Sequence, residues 1–214
     1  MSLVSPQPRM SGEERRRQLI EVAIDLFSQK GFGGTTTKEI ATAAGVTEAI
    51  IFRHFATKQD FYKAILDYKC AVGVADAWFS EVQSFMDAND DEGLFRFLLT
   101  KIVAFDREET RFARLLLHAS LEGHEIAIMH HNQLAMPTGT KSKEYIARRQ
   151  AAGVIRECEP MIVMFALGGI AQYYAMQKYL YQHGNLAYSD EEVVEGFLRI
   201  LMDGLKPSGR KRRK

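Results

Sequence analysis

The chain has 214 residues, 46% of them hydrophobic, which is enough to build one large or two small packed domains. The formal net charge of +1 is uneven, because residues 1–205 carry 22 basic and 27 acidic side chains and the tail 206–214 adds six basic ones. This balance excludes nucleic-acid binding by bulk charge alone, so any affinity for DNA has to come from the placement of particular cations.

Two cysteines, Cys70 and Cys158, are too few for a disulfide framework or a zinc site, and we expect free thiols in a reducing compartment. The first ten residues lack the apolar segment of a signal peptide. The longest apolar run, residues 161–171, is shorter than the ~20 residues that cross a bilayer. We therefore expect a soluble, cytoplasmic protein with no membrane partner.

The first predicted helices begin at capping boxes, in which a hydroxyl and a carboxylate three residues apart satisfy each other's backbone amides. Ser11-x-x-Glu14 opens the first helix and Thr36-x-x-Glu39 opens a second one at Thr37. Gly45 then supplies the left-handed residue that ends the second helix.

The stretch 45–58, GVTEAIIFRHFATK, has the pattern of the turn and second helix of a helix-turn-helix. Thr47 is the predicted N-cap of a helix that runs to about residue 55 or 56, long enough to lie in a major groove. Ile51 and Phe55 are four residues apart and should be buried, whereas Ala49 and Arg53 point away from them.

A further cap pattern, Thr57-x-x-Asp60, predicts a third helix that starts directly afterwards. Lys58 would lie in its first turn, where the helix dipole disfavours a cation, so a phosphate contact is the expected compensation. An apolar stripe predicts that this helix continues as one long rod into the body of the protein: Phe61, Ile65, Tyr68, Val72, Ala75, Phe79, Val82 and Met86.

The remaining chain shows helical periodicity and no sustained strand-like alternation. Asn89-x-x-Glu92 and Ser189-x-x-Glu192 are the predicted caps of two of these helices. Breaks are expected at Gly123, at 137–139, at 153–159 and at 184–185. The predicted helices are about 90–106, 108–121, 124–135, 141–152, 160–181 and 190–205.

Residues 15–65 resemble the DNA-binding domain of the TetR family of bacterial transcription regulators. The resemblance rests on an amphipathic first helix with Ala23, Leu26 and Phe27, on the run GFGGTTTKEIATAAGV, and on the Phe-x-His-Phe-x-x-Lys segment at 52–58. The family usually has tyrosine where this chain has Phe52, and this change removes a hydroxyl expected to touch phosphate. Members of the family are all-α homodimers in which a variable C-terminal domain binds a small molecule and changes the spacing of two DNA-binding heads.

The expected fold is therefore all-α: a three-helix N-terminal DNA-binding domain with a helix-turn-helix (11–62), a C-terminal helical bundle for ligand binding and dimerisation (63–205), and a basic tail (206–214). The tail is either a disordered, solvated end or an extension that adds nonspecific, salt-dependent contact with DNA. Base contacts are expected from the exposed side of the second motif helix, and backbone contacts from its flanks. The predicted DNA-binding residues are Thr36, Thr37, Lys38, Thr47, Glu48, Ala49, Ile50, Phe52, Arg53, His54 and Lys58.

The body is rich in aromatic and methionine side chains, which either fill a plain core or line an apolar effector pocket between helices. A pocket of this kind would bind a hydrophobic or aromatic molecule. The residues predicted to line it are Trp78, Phe79, Phe105, Phe112, Leu116, Met129, Phe165 and Tyr173.

The helix from Pro160 is apolar around much of its circumference and has Gly168 and Gly169 at its centre, which indicates close approach of another helix. It is either a central core helix of a monomer or part of a four-helix interface between two copies. The resemblance favours the homodimer, which would read a near-palindromic operator. The predicted interface residues are Ile146, Arg149, Gln150, Met164, Leu167, Gly168, Ala171 and Tyr174.

The scattered histidines and glutamates at 118–131 lack the spacing of a zinc motif, so hydrogen bonding is favoured over a metal site there. No nucleophile elbow or glycine-rich phosphate loop indicates an enzyme, and no cofactor is expected. The sequence predicts a ligand-responsive repressor that a small hydrophobic effector releases from DNA. The alternative is a DNA-binding regulator or scaffold without small-molecule control.

Overall fold

The computed structural model describes residues 10–69, 74–181 and 186–207, and these ranges form helices joined by short turns, without a strand. The chain is divided by its packing into two compact units. Unit 1 contains residues 10–69 and 114–127, and unit 2 contains residues 74–113, 128–181 and 186–207. The predicted all-α class is confirmed, whereas the predicted domain bounds 11–62 and 63–205 stay predictions.

Unit 1 is built from α1 (Gly12–Lys30), α2 (Thr37–Ala43), α3 (Glu48–His54) and α4 (Lys58–Lys69). The end of α7 (Thr110–Leu121) and the start of α8 (Glu125–His130) complete it. Side chains three or four positions apart on α1 to α4 meet in one apolar core, as amphipathic helices require. Its buried members include Leu19, Ile20, Ala23, Ile24, Phe27, Ile40, Ala41, Ile51, Phe55, Phe61, Tyr62 and Ile65.

The predicted caps of the first helices are confirmed. The Ser11 amide donates to Glu14 Oε2 at 2.7 Å, and the Glu14 amide donates back to Ser11 Oγ at 3.2 Å. The same exchange joins Thr36 and Glu39, whose pKa falls to about 2 because the carboxylate accepts hydrogen bonds from Lys30 and from Thr36. These contacts set the first residues of α1 and α2 from local sequence alone.

Unit 2 contains α5 (Val74–Ala88), α6 (Asp91–Glu108), α9 (Met136–Ala151), α10 (Pro160–Ala175) and α11 (Asp190–Leu205). A π-helical turn, His131–Ala135, precedes α9, and another, Met176–Leu180, follows α10. Helix α6 packs against α10 and α11, and α9 packs against α10 and α5. None of the helices in the described ranges is both long enough and apolar enough for a bilayer crossing.

A carboxylate at the start of α11 ties three helical elements of unit 2 together. Asp190 pairs with Arg107 of α6 at 2.8 Å and with Lys178 of the second π-helical turn at 2.9 Å, and it accepts hydrogen bonds from Tyr174 and Tyr179. Burial by itself would raise the pKa of Asp190, but the hydrogen bonds from Tyr179, Lys178 and Tyr174 outweigh it and lower the pKa to about 2.

Two local predictions differ from the structure. The cap of α6 is Asp90, which accepts from the Gly93 amide at 2.8 Å, because Asn89 adopts a left-handed φ of 54° and ends the preceding turn. The break expected at 137–139 is wrong, since the helix continues through these residues and Pro137 lies in the first turn of α9, directly after a π-helical turn. The rod predicted after Lys58 is helical in α4 and α5, but residues 70–73, including Val72, lie outside the described residues, so its continuity stays a prediction.

Candidate nucleic-acid interface

Helices α2 and α3 form a helix-turn-helix whose turn is set by backbone geometry. Gly45 has a φ of 67°, a conformation that favours glycine, and the amide of Val46 donates to the Ala41 carbonyl at 3.0 Å. The Thr37 hydroxyl donates to the Glu48 carboxylate and so joins the first residues of the two helices. Thr47 precedes α3 as predicted but makes no side-chain capping hydrogen bond.

Helix α3 has one buried side and one exposed side. Ile51 is 0% exposed and Phe55 is 2% exposed, which confirms the predicted inward face. Ala49 and Arg53 are exposed on the other side. Helix α3 therefore exposes the short side chain of Ala49 and the long side chain of Arg53, while Ile51 and Phe55 hold its backbone against the core.

Among the other residues predicted to bind DNA, Thr36, Lys38, Thr47 and Phe52 are exposed, and Thr37, Glu48, Ile50, His54 and Lys58 are half-buried. Phe52 keeps 51% of its surface open, a high value for a phenylalanine next to a packed core. The structure thus leaves these side chains on the surface or at its edge, and their contacts with DNA remain predictions.

Arginines from α1 and α3 surround the end of α3. The Arg16 guanidinium lies 4.9 Å from the centre of the Phe55 ring, a distance typical of a cation–π contact. Burial lowers the pKa of His54, and the positive charges of Arg53, Arg16 and Arg15 lower it further. The imidazole is therefore favoured in its neutral form, and the positive charge of this region comes from the arginines.

Lys58 occupies a different position from the one its predicted phosphate contact would suggest. Its Nζ donates to the carbonyl of Phe32 and lies 4.0 Å from the centre of the Phe32 ring. Burial lowers the pKa of Lys58, while the negative charges of Glu122 and Glu39 act in the opposite direction. In this structure the ammonium group supports the loop between α1 and α2, and its contact with phosphate stays a prediction.

The residues predicted for the effector pocket do not share one environment. Phe105 and Phe112 contact each other and the ring of His130, with centroids 5.6 to 6.1 Å apart. Trp78 donates from its indole nitrogen to Thr138 at 2.9 Å. Phe79, Leu116 and Met129 are half-buried, whereas Phe165 and Tyr173 are 71% and 67% exposed. The last two therefore lie on the surface of unit 2 and not inside it.

The residues predicted for the dimer interface also divide. Ile146, Leu167, Ala171 and Tyr174 are buried in the core of unit 2, and their place in a dimer interface stays a prediction. Arg149 pairs with Asp91. Gln150 donates to backbone carbonyls at Arg156 and Cys158, and Met164 and Gly168 are half-buried.

The exposed side of α10 carries residues that the sequence assigned to a pocket or to no site. Ile162, Phe165 and Tyr173 are 62–71% exposed, and Ile200 on α11 is 69% exposed. A Cβ added at Gly168 or Gly169 would meet no atom of this chain within 4 Å. The periodicity identified an apolar helix but did not show which of its sides faces the core.

Sequence reasoning also missed the role of the segment between α7 and α8. Glu122 accepts hydrogen bonds from the amides of Phe32 and Gly33, and the His124 ring lies 4.4 Å from the Phe32 ring. Within the described part of the chain, no three histidine, cysteine or acidic side chains are grouped as metal ligands would be. The separation of about ninety residues between Phe32 and Glu122 gave no signal in the sequence.

Comparison with known proteins agrees with this geometry. Residues 19–65 match the family model described as "Bacterial regulatory proteins, tetR family". The transcriptional regulator AcrR of Shigella flexneri is 42% identical over 57 residues, which cover 27% of this chain and 26% of that relative. The transcriptional regulator RutR of Escherichia coli K12 is 22% identical over 198 residues, which cover 90% of this chain and 91% of that relative.

Solved structures share the fold over almost the whole chain. A putative TetR-family regulator from Mesorhizobium loti superposes with a TM-score of 0.64 at 19% identity, covering 92% of this chain and all of that one. AibR, solved in complex with isovaleryl coenzyme A and operator DNA, superposes with a TM-score of 0.61 at 20% identity, covering 88% and 98% of the two chains. The resemblance to the TetR family of bacterial transcriptional regulators is therefore confirmed, because residues 19–65 match the family model and most of the chain has the fold of these solved structures.

Proposed function

We propose that this regulator is a repressor that binds a near-palindromic operator as a homodimer and is released by a small hydrophobic effector. The observation that carries the proposal is α3, whose exposed side is held by Ile51 and Phe55 at 0% and 2% exposure. A seven-residue helix fixed in this way suits insertion into a major groove. DNA binding would place the protein at the chromosome, in the bacterial cytoplasm.

The proposed base-reading residues are Thr47, Ala49, Ile50 and Arg53. Arg53 has the two parallel donors that guanine accepts in the major groove, and Ala49 or Ile50 suits a thymine methyl group. Thr36, Thr37, Phe52, His54 and Lys58 are proposed to face the DNA backbone. Arg53→Ala should lose sequence preference, whereas the control Lys38→Ala should weaken all sequences alike.

The operator can be found by selecting genomic fragments with the purified protein across a salt series and footprinting the fragments that remain. A protected near-palindrome would support the proposal. Binding that is equal for all sequences and disappears with salt would reject it, because nonspecific attachment is electrostatic.

The exposed side of α10 and α11 supports the homodimer. Ile162, Phe165 and Tyr173 are exposed on α10 and Ile200 is exposed on α11, and the open space at Gly168 and Gly169 would allow a second α10 to approach closely. Large apolar side chains exposed together on one helix are unfavourable in water unless a partner covers them. A second copy, related by a two-fold axis, would cover it with the same surface and match a palindromic site.

Sedimentation of Phe165→Asp tests this assignment. The variant should sediment as a monomer at concentrations at which the unmodified protein is a dimer. Ile128→Asp is the matched control, because Ile128 is an isoleucine on α8 that is 62% exposed. Equal sedimentation of both variants would reject the α10 surface as the interface.

The proposed effector site lies in unit 2 at Phe105, Phe112 and the His130 ring, which together present apolar faces and one imidazole. Burial lowers the pKa of His130, so the neutral imidazole offers one donor and one acceptor. We expect hydrophobic compounds to raise the melting temperature and to weaken operator binding. A protein that responds to no compound in either assay would instead act as a DNA-binding regulator without small-molecule control.

A further inference from the structure

The loop between α1 and α2, residues 31–34, is held by a carboxylate from a distant part of the chain. Glu122 Oε2 accepts hydrogen bonds from the Phe32 amide at 3.1 Å and from the Gly33 amide at 3.4 Å. Glu122 directly follows α7, and both partners belong to unit 1. Hydrogen bonds from backbone amides to an ionised carboxylate are stronger than those between neutral groups.

The backbone of the loop leaves room for this carboxylate. Gly31 has a φ of 71°, and a Cβ at this position would lie 2.2 Å from Glu122 Oε1. A side chain at residue 31 would therefore push the carboxylate away and would also strain the backbone. The glycine and the glutamate form a matched pair although they are far apart in sequence.

The Phe32 side chain is held from several directions. The ring lies 4.4 Å from the His124 ring, 4.7 Å from the Tyr62 ring and 4.0 Å from Lys58 Nζ, while its carbonyl accepts from Lys58. His124 also contacts Tyr62 at 4.5 Å. The segment at 122–124 thus supplies both a hydrogen-bond acceptor and an aromatic surface to one loop residue.

The loop 31–34 leads directly into the helix-turn-helix. Thr35 is 1% exposed and its hydroxyl donates to the Gly31 carbonyl at 2.9 Å. Thr36, the next residue, is the N-cap of α2, and α2 packs against α3. A displacement of residues 31–34 would therefore move the first residue of α2 and, through the packing, α3.

We infer that Glu122 is a positioning residue for operator binding: its carboxylate holds the loop 31–34 from outside the helix-turn-helix and thereby fixes where α2 begins. This inference rests on the proposed function. Glu122 touches no DNA in this role and acts through the loop.

The position of Glu122 also gives the proposed effector a route to the head. Phe112 lies on α7 before Glu122, and His130 ends α8 after it, with their rings 5.6 Å apart in unit 2. A ligand that changed the packing of these two rings would act on the two helices that flank Glu122. A ligand changes affinity at a second site only if it binds two states of the protein differently, and the segment 112–130 carries residues of both the proposed effector site and the contact with the loop.

The test compares operator affinity of the full-length protein with that of Glu122→Ala, Glu122→Gln and the control Glu81→Ala. Glu81 is exposed on α5, so its replacement removes the same charge without touching the loop. Removal of a negative charge by itself strengthens attraction to DNA. We expect Glu122→Ala to bind the operator about tenfold more weakly and Glu81→Ala to bind it equally or more tightly, so the two effects differ in sign.

Amide hydrogen exchange and thermal melting complete the test. The Phe32 and Gly33 amides should exchange about tenfold faster in Glu122→Ala, while the melting temperature changes by less than about 3 °C. Glu122→Gln keeps one acceptor oxygen and the side-chain size, and its affinity should fall between those of Glu122→Ala and the unmodified protein. It also allows the measurement if Glu122→Ala does not fold.

Two results would overturn the inference: unchanged operator affinity of both Glu122 variants, or a loss of affinity only at temperatures at which the protein melts. The unmodified protein separates this failure from failure of the proposed function. If it binds no specific site, the proposed function is rejected, whereas specific binding that is insensitive to Glu122 rejects only its positioning role.

Discussion

A buried ion pair joins α6 to α9 and allows one prediction to be worked out from the structure. Arg149 Nη2 lies 2.8 Å from Asp91 Oδ2, and Arg149 Nε donates to the same carboxylate at 2.8 and 3.1 Å. The two side chains are only 17% and 10% exposed. The Tyr145 hydroxyl donates to Asp91 as well. Arg149→Met would leave Asp91 with this hydroxyl but without a compensating charge.

The expected cost follows from this burial. Removal of one partner from a fully buried ion pair costs 3–5 kcal/mol, and the small remaining exposure lets water reach the carboxylate. We therefore expect Arg149→Met to lower the free energy of unfolding by about 3 kcal/mol, or the melting temperature by roughly 6–12 °C. Asp91→Leu combined with Arg149→Met should lose less than Arg149→Met alone, because no unpaired charge remains.

Urea unfolding followed by circular dichroism measures this change. The measurement is repeated at two protein concentrations, because the proposed dimerisation would make the free energy of unfolding depend on concentration. The control is Asp203→Asn, which breaks a pair with Lys206 whose side chains are 62% and 71% exposed, and which should change stability by less than about 1 kcal/mol. Two outcomes would refute the reasoning: a loss no larger than that of the control, or a variant that unfolds normally but sediments as a monomer.

Three further predictions concern the buried side chain of Ile51, the buried carboxyl group of Asp106 and the contact of Lys58 with DNA. Ile51→Ala removes a side chain with no exposure and should lower the free energy of unfolding by about 2–4 kcal/mol in the same urea assay. Burial raises the pKa of Asp106 from 3.8 to about 6, so its contribution to stability is fully present below pH 4 and is lost as the pH rises to 6. Between pH 4 and pH 6, the free energy of unfolding of the unmodified protein should fall by up to about 3 kcal/mol relative to that of Asp106→Asn. A difference between the two proteins that does not change with pH would contradict this prediction. Lys58→Ala should weaken binding to all sequences and reduce the salt slope by about one, whereas an unchanged slope would assign Lys58 to the Phe32 loop alone.

Local sequence determined the helix starts and the turn of the helix-turn-helix. Capping boxes at Ser11, Thr36 and Ser189 are all present, because each depends on groups only three residues apart. Gly45 adopts the left-handed conformation that its position after α2 required. The buried face of α3 followed from the four-residue spacing of Ile51 and Phe55.

Where two local signals for a helix start or end lie close together, the sequence alone did not predict which of them the chain uses. Asn89 and Asp90 are both residue types that favour the N-cap position. Asp90 is the N-cap of α6, because Asn89 adopts a left-handed φ directly after the end of α5. Pro137 stops a helix from inside but is accepted in its first turn, and a π-helical turn just before it shifts the start of α9. The first residue of α6 and of α9 therefore depends on where α5 and the first π-helical turn end.

Only the tertiary structure decided which side of α10 faces the core. The helix is apolar around most of its circumference, so the pattern of Leu167 and Ala171 looks much like that of Phe165 and Tyr173. Packing against α6 buries the first pair and leaves the second pair exposed. A periodic pattern identifies a buried face only when the opposite face is polar.

The contact between Glu122 and the loop 31–34 likewise depends on the tertiary fold. A capping carboxylate three residues from its partner can be read from sequence, but one about ninety residues away cannot, since any exposed glutamate has the same local pattern. The amino-acid sequence therefore determined where α1, α2 and α11 begin and which side of α3 is buried, because those features depend on neighbours along the chain. The tertiary structure decided which side of α10 stays exposed and which distant carboxylate, that of Glu122, contacts the loop 31–34. Both features depend on residues that only the folded chain brings together.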